Sequence, residues 1–67
     1  MSQLLSNMKQ IRENAGLTQA ELAKAVGVSR KTINTVENGV FVPSTVLSLK
    51  LARRLDVTVE ELFQLPQ

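Results

Sequence analysis

Helix start and stop signals follow one another so closely along this chain that they divide it into five short helical segments. Thr18-Gln19-Ala20-Glu21 and Thr58-Val59-Glu60-Glu61 are both capping boxes. In such a box a threonine hydroxyl and a glutamate carboxylate each satisfy a free backbone N–H at the start of a helix. Asn7 with Gln10 reads as another capped start, and Ser29 and Ser44 as N-caps. Gly16, Gly27 and the pair Asn38-Gly39 supply left-handed residues that close helices, and Pro66 ends the last one. Between these marks the apolar residues keep helical spacing: Met8 and Ile11, with Arg12 and Ala15; then Leu22, Ala23 and Val26; then Ile33 and Val36. Leu47, Leu51 and Leu55 form a stripe with small Ser48 and Ala52 beside them, and Leu62 and Phe63 close the pattern. Val40-Phe41-Val42-Pro43 is expected to be extended, since a residue before proline avoids the helical region. No stretch alternates with period two, so the expected fold class is all-α, a compact five-helix domain.

Helices this short depend on packing. With 67 residues there is room for one small domain, residues 1–67. A chain of this size buries only about 60% of the surface it exposes when unfolded. Cysteine and histidine counts are zero, which removes disulfides, the usual zinc sites, and thiol or imidazole catalysis. No convergent set of reactive groups suggests an enzyme, and neither cofactor nor metal is expected. The longest apolar run is Val40-Phe41-Val42, too short for a membrane span or a signal peptide, so a cytoplasmic location is expected. The net charge is +2, but it is uneven. Residues 1–31 carry five basic and two acidic side chains, and residues 32–67 carry three and four. A positive half beside a mildly negative one suggests a face for a polyanion.

The informative stretch is Gln19 to Gly39, QAELAKAVGVSRKTINTVENG. Two short helices meet at a tight turn centred on Gly27, and small Ala23 lets the second cross the first closely. Leu22, Val28, Ile33 and Val36 hold the pair to the core. A rigid crossing of this kind leaves the outer face of the second helix free. That face offers Arg30, Lys31, Asn34 and Thr35, with Thr32 near its start. Arg and Lys suit guanine acceptors in the major groove, Asn suits adenine, and a Thr methyl suits the thymine methyl. Lysine and arginine at a helix start oppose the dipole, which contact with DNA would explain. Lys24, Arg53 and Arg54 read instead as solubilising charges.

Here the chain resembles the lambda-repressor-like, Cro-type (Xre) helix-turn-helix family. The resemblance runs from IRENAGLTQAELAKAVGVSRKTINTVENG through Pro43-Ser44 to LKLARRLDVTVEELF, about residues 8–63. It implies a transcriptional regulator, here read as a repressor, that binds double-stranded DNA sequence-specifically as a homodimer on a palindromic operator. The helix-turn-helix core falls at about residues 18–38. By position, Ser29 to Glu37 is the recognition helix, with Arg30, Lys31, Asn34 and Thr35 reading bases. Thr18 and Gln19 match phosphate-anchoring positions, as suits a helix N-terminus, and Ser29 and Thr32 are expected to join them. The resemblance also implies an ion pair between Arg12 and Glu37. Three positions depart from the family pattern: Val40 replaces a common Lys or Arg, Thr45 a frequent Leu, and Asp56 a frequent Gly.

One recognition helix reads only a few base pairs, so operator-level specificity calls for two copies. The dimerisation region is expected at about residues 44–67. Its contact residues are expected to be Val46, Leu49, Leu62, Phe63 and Leu65, apolar groups beyond the needs of the core. Leu4 and Leu5 precede the first helix and could form a short extended arm against the C-terminal segment. The alternative reading, from another class, is an antitoxin-like or adaptor module whose partner is a protein.

Overall fold

The computed structural model describes residues 4–66, so the expected domain bounds of 1–67 pass beyond the described residues at both ends. Five helices are present: α1 (Met8–Asn14), α2 (Gln19–Val26), α3 (Arg30–Glu37), α4 (Thr45–Leu55) and α5 (Val59–Leu62). A two-stranded antiparallel ribbon joins the ends, β1 (Leu5–Ser6) against β2 (Phe63–Gln64), with Leu5 opposite Gln64 and Ser6 opposite Phe63. β1 is the extended arm.

α2 packs against α3 and α4, α1 against α3, and α4 against α5. The core lies where these helices converge. Met8, Leu22, Ile33, Leu51 and Leu62 are fully buried there, and Val36 nearly so. A Leu, Ile or Met side chain of this kind contributes roughly 1.5–3 kcal/mol by leaving water. One side chain comes from each of the five helices, so no helix is independent of the others.

The caps follow the sequence closely. Thr18 and Thr58 form complete capping boxes with Glu21 and Glu61, and Ser29 and Ser44 accept the N–H groups of Thr32 and Leu47. The Thr18 backbone N–H and hydroxyl hold the Glu21 carboxyl below the usual carboxylate range. At the turn between α2 and α3, Gly27 has φ +79°. No atom would crowd a Cβ there, so conformation rather than space favours glycine.

Three expectations are corrected. Asn7 makes no side-chain cap. Its N–H donates to the Leu62 carbonyl at 2.8 Å and its amide to Gln64 Oε1 at 3.0 Å, because the ribbon claims this residue. Ser6 Oγ accepts the Met8 N–H instead. Val40 and Phe41 do not run on in extended form: both N–H groups fold back onto the Thr35 carbonyl, at 2.9 and 3.2 Å, satisfying an orphan acceptor at the end of α3. Finally, α5 ends at Leu62 rather than at Pro66, since Phe63 turns extended to pair with Ser6.

Asp56 closes α4 at φ +58°, the one left-handed residue other than glycine among those described. A side chain there carries strain, and a carboxylate faces the negative end of the helix dipole. Asp56→Gly should therefore raise stability, by about 0.5–1 kcal/mol, and urea unfolding measures it. A loss of stability would mean that the Asp56 side chain holds the turn.

Candidate nucleic-acid interface

Arg12 sits on the inward side of α1, where a charge without a partner would be costly. Its side chain is 9% exposed and that of Glu37, the last residue of α3, only 2%. Arg12 Nε donates to Glu37 Oε2 at 2.6 Å and Nη2 to Oε1 at 3.3 Å. Nη1 donates to the Leu17 carbonyl at 2.7 Å, in the segment between α1 and α2. The hydrogen bond to Glu37 holds the Arg12 pKa above its already high value, against the opposing effect of burial.

Glu37 has a second donor. Gln19 Nε2, at the start of α2, reaches Oε1 at 2.9 Å, and Gln19 Oε1 in turn lies 3.4 Å from Arg30 Nη1 at the start of α3. A polar chain thus runs from Arg12 through Glu37 and Gln19 to Arg30, linking α1, α3 and α2 and ending at the surface. The family resemblance anticipated the pair but not its extension through Gln19. Residues 19 and 37 are far apart in the chain, and only the crossing of α2 over α3 brings them together.

Ile33 and Val36 turn the inner side of α3 into the core. Arg30 and Lys31 are exposed, and Thr32, Asn34 and Thr35 are half-buried. The Asn34 side-chain oxygen accepts from Asn38, and the Thr35 hydroxyl donates to the Thr32 carbonyl. Ser29 and Thr32 share a hydrogen bond between their hydroxyls at 3.0 Å. At the start of α2, the Thr18 N–H and hydroxyl are both occupied by Glu21. The N–H groups of Gln19 and Ala20 have no acceptor among the described residues. An anion at this helix start would therefore meet those two amides, a position of Ala20 that the sequence reading overlooked.

Of the five residues expected at a dimer contact, two are corrected. Leu62 and Phe63 are 0% and 7% exposed, consumed by the core of their own chain. Val46, Leu49 and Leu65 lie on the surface, 62%, 58% and 73% exposed.

A bundle of short helices in which two cross at a glycine turn, the second with a polar outer face, defines a helix-turn-helix protein. The helix-turn-helix family model matches residues 8–62, and the chain belongs to this family of DNA-binding transcriptional regulators. It is 43% identical over 58 residues to an uncharacterized HTH-type transcriptional regulator of Archaeoglobus fulgidus, covering 87% of this chain and 83% of that protein. The restriction-modification controller protein C.AhdI from Aeromonas hydrophila has a similar structure, with 37% identity and a TM-score of 0.75 over 81% of this chain and 82% of that one. So does the biofilm regulator SinR of Bacillus subtilis, solved in complex with DNA, with 31% identity and a TM-score of 0.73 over 79% and 86%. Longer proteins match as well. The chain spans 57% of the clp gene regulator ClgR from Corynebacterium glutamicum (28% identity, TM-score 0.76, 81% of this chain). It spans 62% of the antitoxin HipB from Escherichia coli (34% identity, 87% of this chain). Among the described residues no helix is long and apolar enough to cross a membrane.

The pair at the buried end of the polar chain should matter strongly for stability. Arg12→Ala or Glu37→Ala is expected to cost about 3–5 kcal/mol, because each leaves a buried charge unpaired. A double-mutant cycle by chemical denaturation should return a coupling well above the roughly 0–1 kcal/mol of an exposed pair.

Proposed function

We propose that this chain is a sequence-specific regulator of double-stranded DNA, a repressor that lays α3 in the major groove and binds a palindromic operator as a homodimer. One observation carries the reading: Arg30, Lys31, Asn34 and Thr35 share the outer side of a helix whose inner side is fixed by Ile33, Val36 and the Glu37 pair. Positively charged residues at the start of α3 work against its dipole, and phosphates and guanine acceptors offset that cost. Thr18, Gln19, Ser29 and Thr32 supply phosphate contacts, with the open amides of α2 behind them. A regulator of this kind works in the cytoplasm. The matched antitoxin favours one second reading, a module whose main partner is a protein. Salt separates the two, since each phosphate neutralised contributes about −0.9 to the slope of log affinity against log salt.

Arg30→Ala and Lys31→Ala should each weaken binding to a selected operator by about 1–3 kcal/mol, while binding to random DNA falls much less. Operators come from selection out of a random duplex pool, and fluorescence anisotropy gives both affinities. Equal losses on both DNAs would reduce these residues to phosphate contacts. Thermal unfolding of the variants should stay within about 0.5 kcal/mol of the parent.

Two half-sites lie about 34 Å apart on one face of the duplex, so the dimer contact has to lie away from α3. Residues 44–67 provide it in this proposal, through Val46 and Leu49 on α4 together with Leu65. The parent should sediment as a dimer at tens of micromolar and Leu65→Asp as a folded monomer. A folded variant that still dimerises would place the contact elsewhere.

A further inference from the structure

A cleft of 590 Å³ opens between the C-terminal ends of α2 and α4. Lys24, Lys50, Arg53 and Arg54 line it, together with Ala25 and Val26, and no carboxylate does. None of the four basic side chains makes an ion pair or a hydrogen bond among the described residues, where Arg12 and Glu37 form the one salt bridge. Glu21 feels the charge of Arg54, but its carboxylate is engaged by Thr18.

The helix dipoles account for part of this arrangement. Lys24 lies in the last turn of α2, and Arg53 and Arg54 in the last turn of α4, where cations are favourable. Lys50 sits in the middle of α4 and has no such reason. Four like charges from two helices also repel one another across a shared space, which a counter-charge would relieve. No residue of α3 lines the cleft, nor does Thr18 or Gln19. The cleft is therefore separate from the face assigned to DNA.

We propose that this cleft is a docking site for an acidic peptide segment of a partner protein. Its volume lies within the range of clefts that enclose small ligands or a few side chains. Ala25, Val26 and the alkyl stems of the basic residues give it aliphatic walls, with charged heads at the rim. An aliphatic side chain between carboxylates satisfies both: the apolar group enters and the carboxylates meet the cations. A DNA duplex is convex, presents phosphates along its outside and keeps its thymine methyls within the major groove, so no apolar group protrudes to enter such a cleft.

The test uses the whole chain labelled with ¹⁵N, a short synthetic peptide of alternating Glu and Leu pairs, and an analogue with Gln for Glu. The acidic peptide is expected to shift the amides of residues 24–27 and 50–54 and to leave residues 30–35 unchanged. The Gln analogue is expected to bind at least tenfold more weakly. Lys24→Gln with Arg54→Gln, both exposed positions, should lower the acidic peptide's affinity at least tenfold and leave operator affinity and circular dichroism as in the parent. Equal binding of both peptides, or no shifts at all, would overturn the proposal. So would loss of operator affinity in the double variant, or a response of the cleft amides to a random duplex, since either assigns the cleft to phosphate.

Discussion

A buried guanidinium and a buried carboxylate are each costly alone, and in this protein the same two groups connect three helices. Arg12 and Glu37 lie 25 residues apart and come together only when α1 and α3 have docked. Their hydrogen bonds are directional in a way that aliphatic contacts are not, so they select one relative placement of the helices as well as stabilising it. Arg12 also accounts for the Leu17 carbonyl, and Glu37 for the Gln19 amide. No buried side-chain polar atom is left without a partner among the described residues. The placement of α2 against α3 draws on this cluster, through the Gln19–Glu37 bond, as well as on the apolar core that Leu22, Ala23, Ile33 and Val36 share.

That dependence reaches the surface. α3 has eight residues, far too few for a stable helix in isolation. Its caps, its two buried side chains and the Glu37 anchor hold it in place, and they leave its outer side outside the core, with only local hydrogen bonds and the Arg30–Gln19 contact. Gln19 shows how closely structure and recognition are joined: one end of its amide is tied to the buried pair and the other to Arg30. Arg12, remote from the outer face of α3, is thus joined to Arg30 by a continuous run of hydrogen bonds.

The basic side chains gather in two separate regions that cut across the positive and negative halves of the sequence. One is the start of α3, with Arg30 and Lys31. The other is the α2–α4 cleft, where Lys24 comes beside Lys50, Arg53 and Arg54 from a distant part of the chain. Composition alone joins these into a single basic tendency. The fold separates them: no residue of α3 lines the cleft.

Local chemistry determined the helices. A threonine with a glutamate three residues on, a serine before an apolar run, or a glycine at a stop each acts within a turn or two, so the elements were legible residue by residue. So were the stripe of Leu47, Leu51 and Leu55 and the outer face of α3. Errors arose where a distant segment outbid a local signal. Asn7 gave up its cap to the ribbon, Phe63 left its helix to pair with Ser6, and Leu62 and Phe63, surplus to the core by pattern, proved to belong to it. Tertiary structure alone decided the register of β1 against β2, the reach of Gln19 to Glu37, and the convergence of four cations on one cleft. The physical reason is range: caps and periodicity are set by neighbours in sequence, whereas these contacts exist only after chain closure has brought residues tens of positions apart into hydrogen-bonding or Coulombic distance.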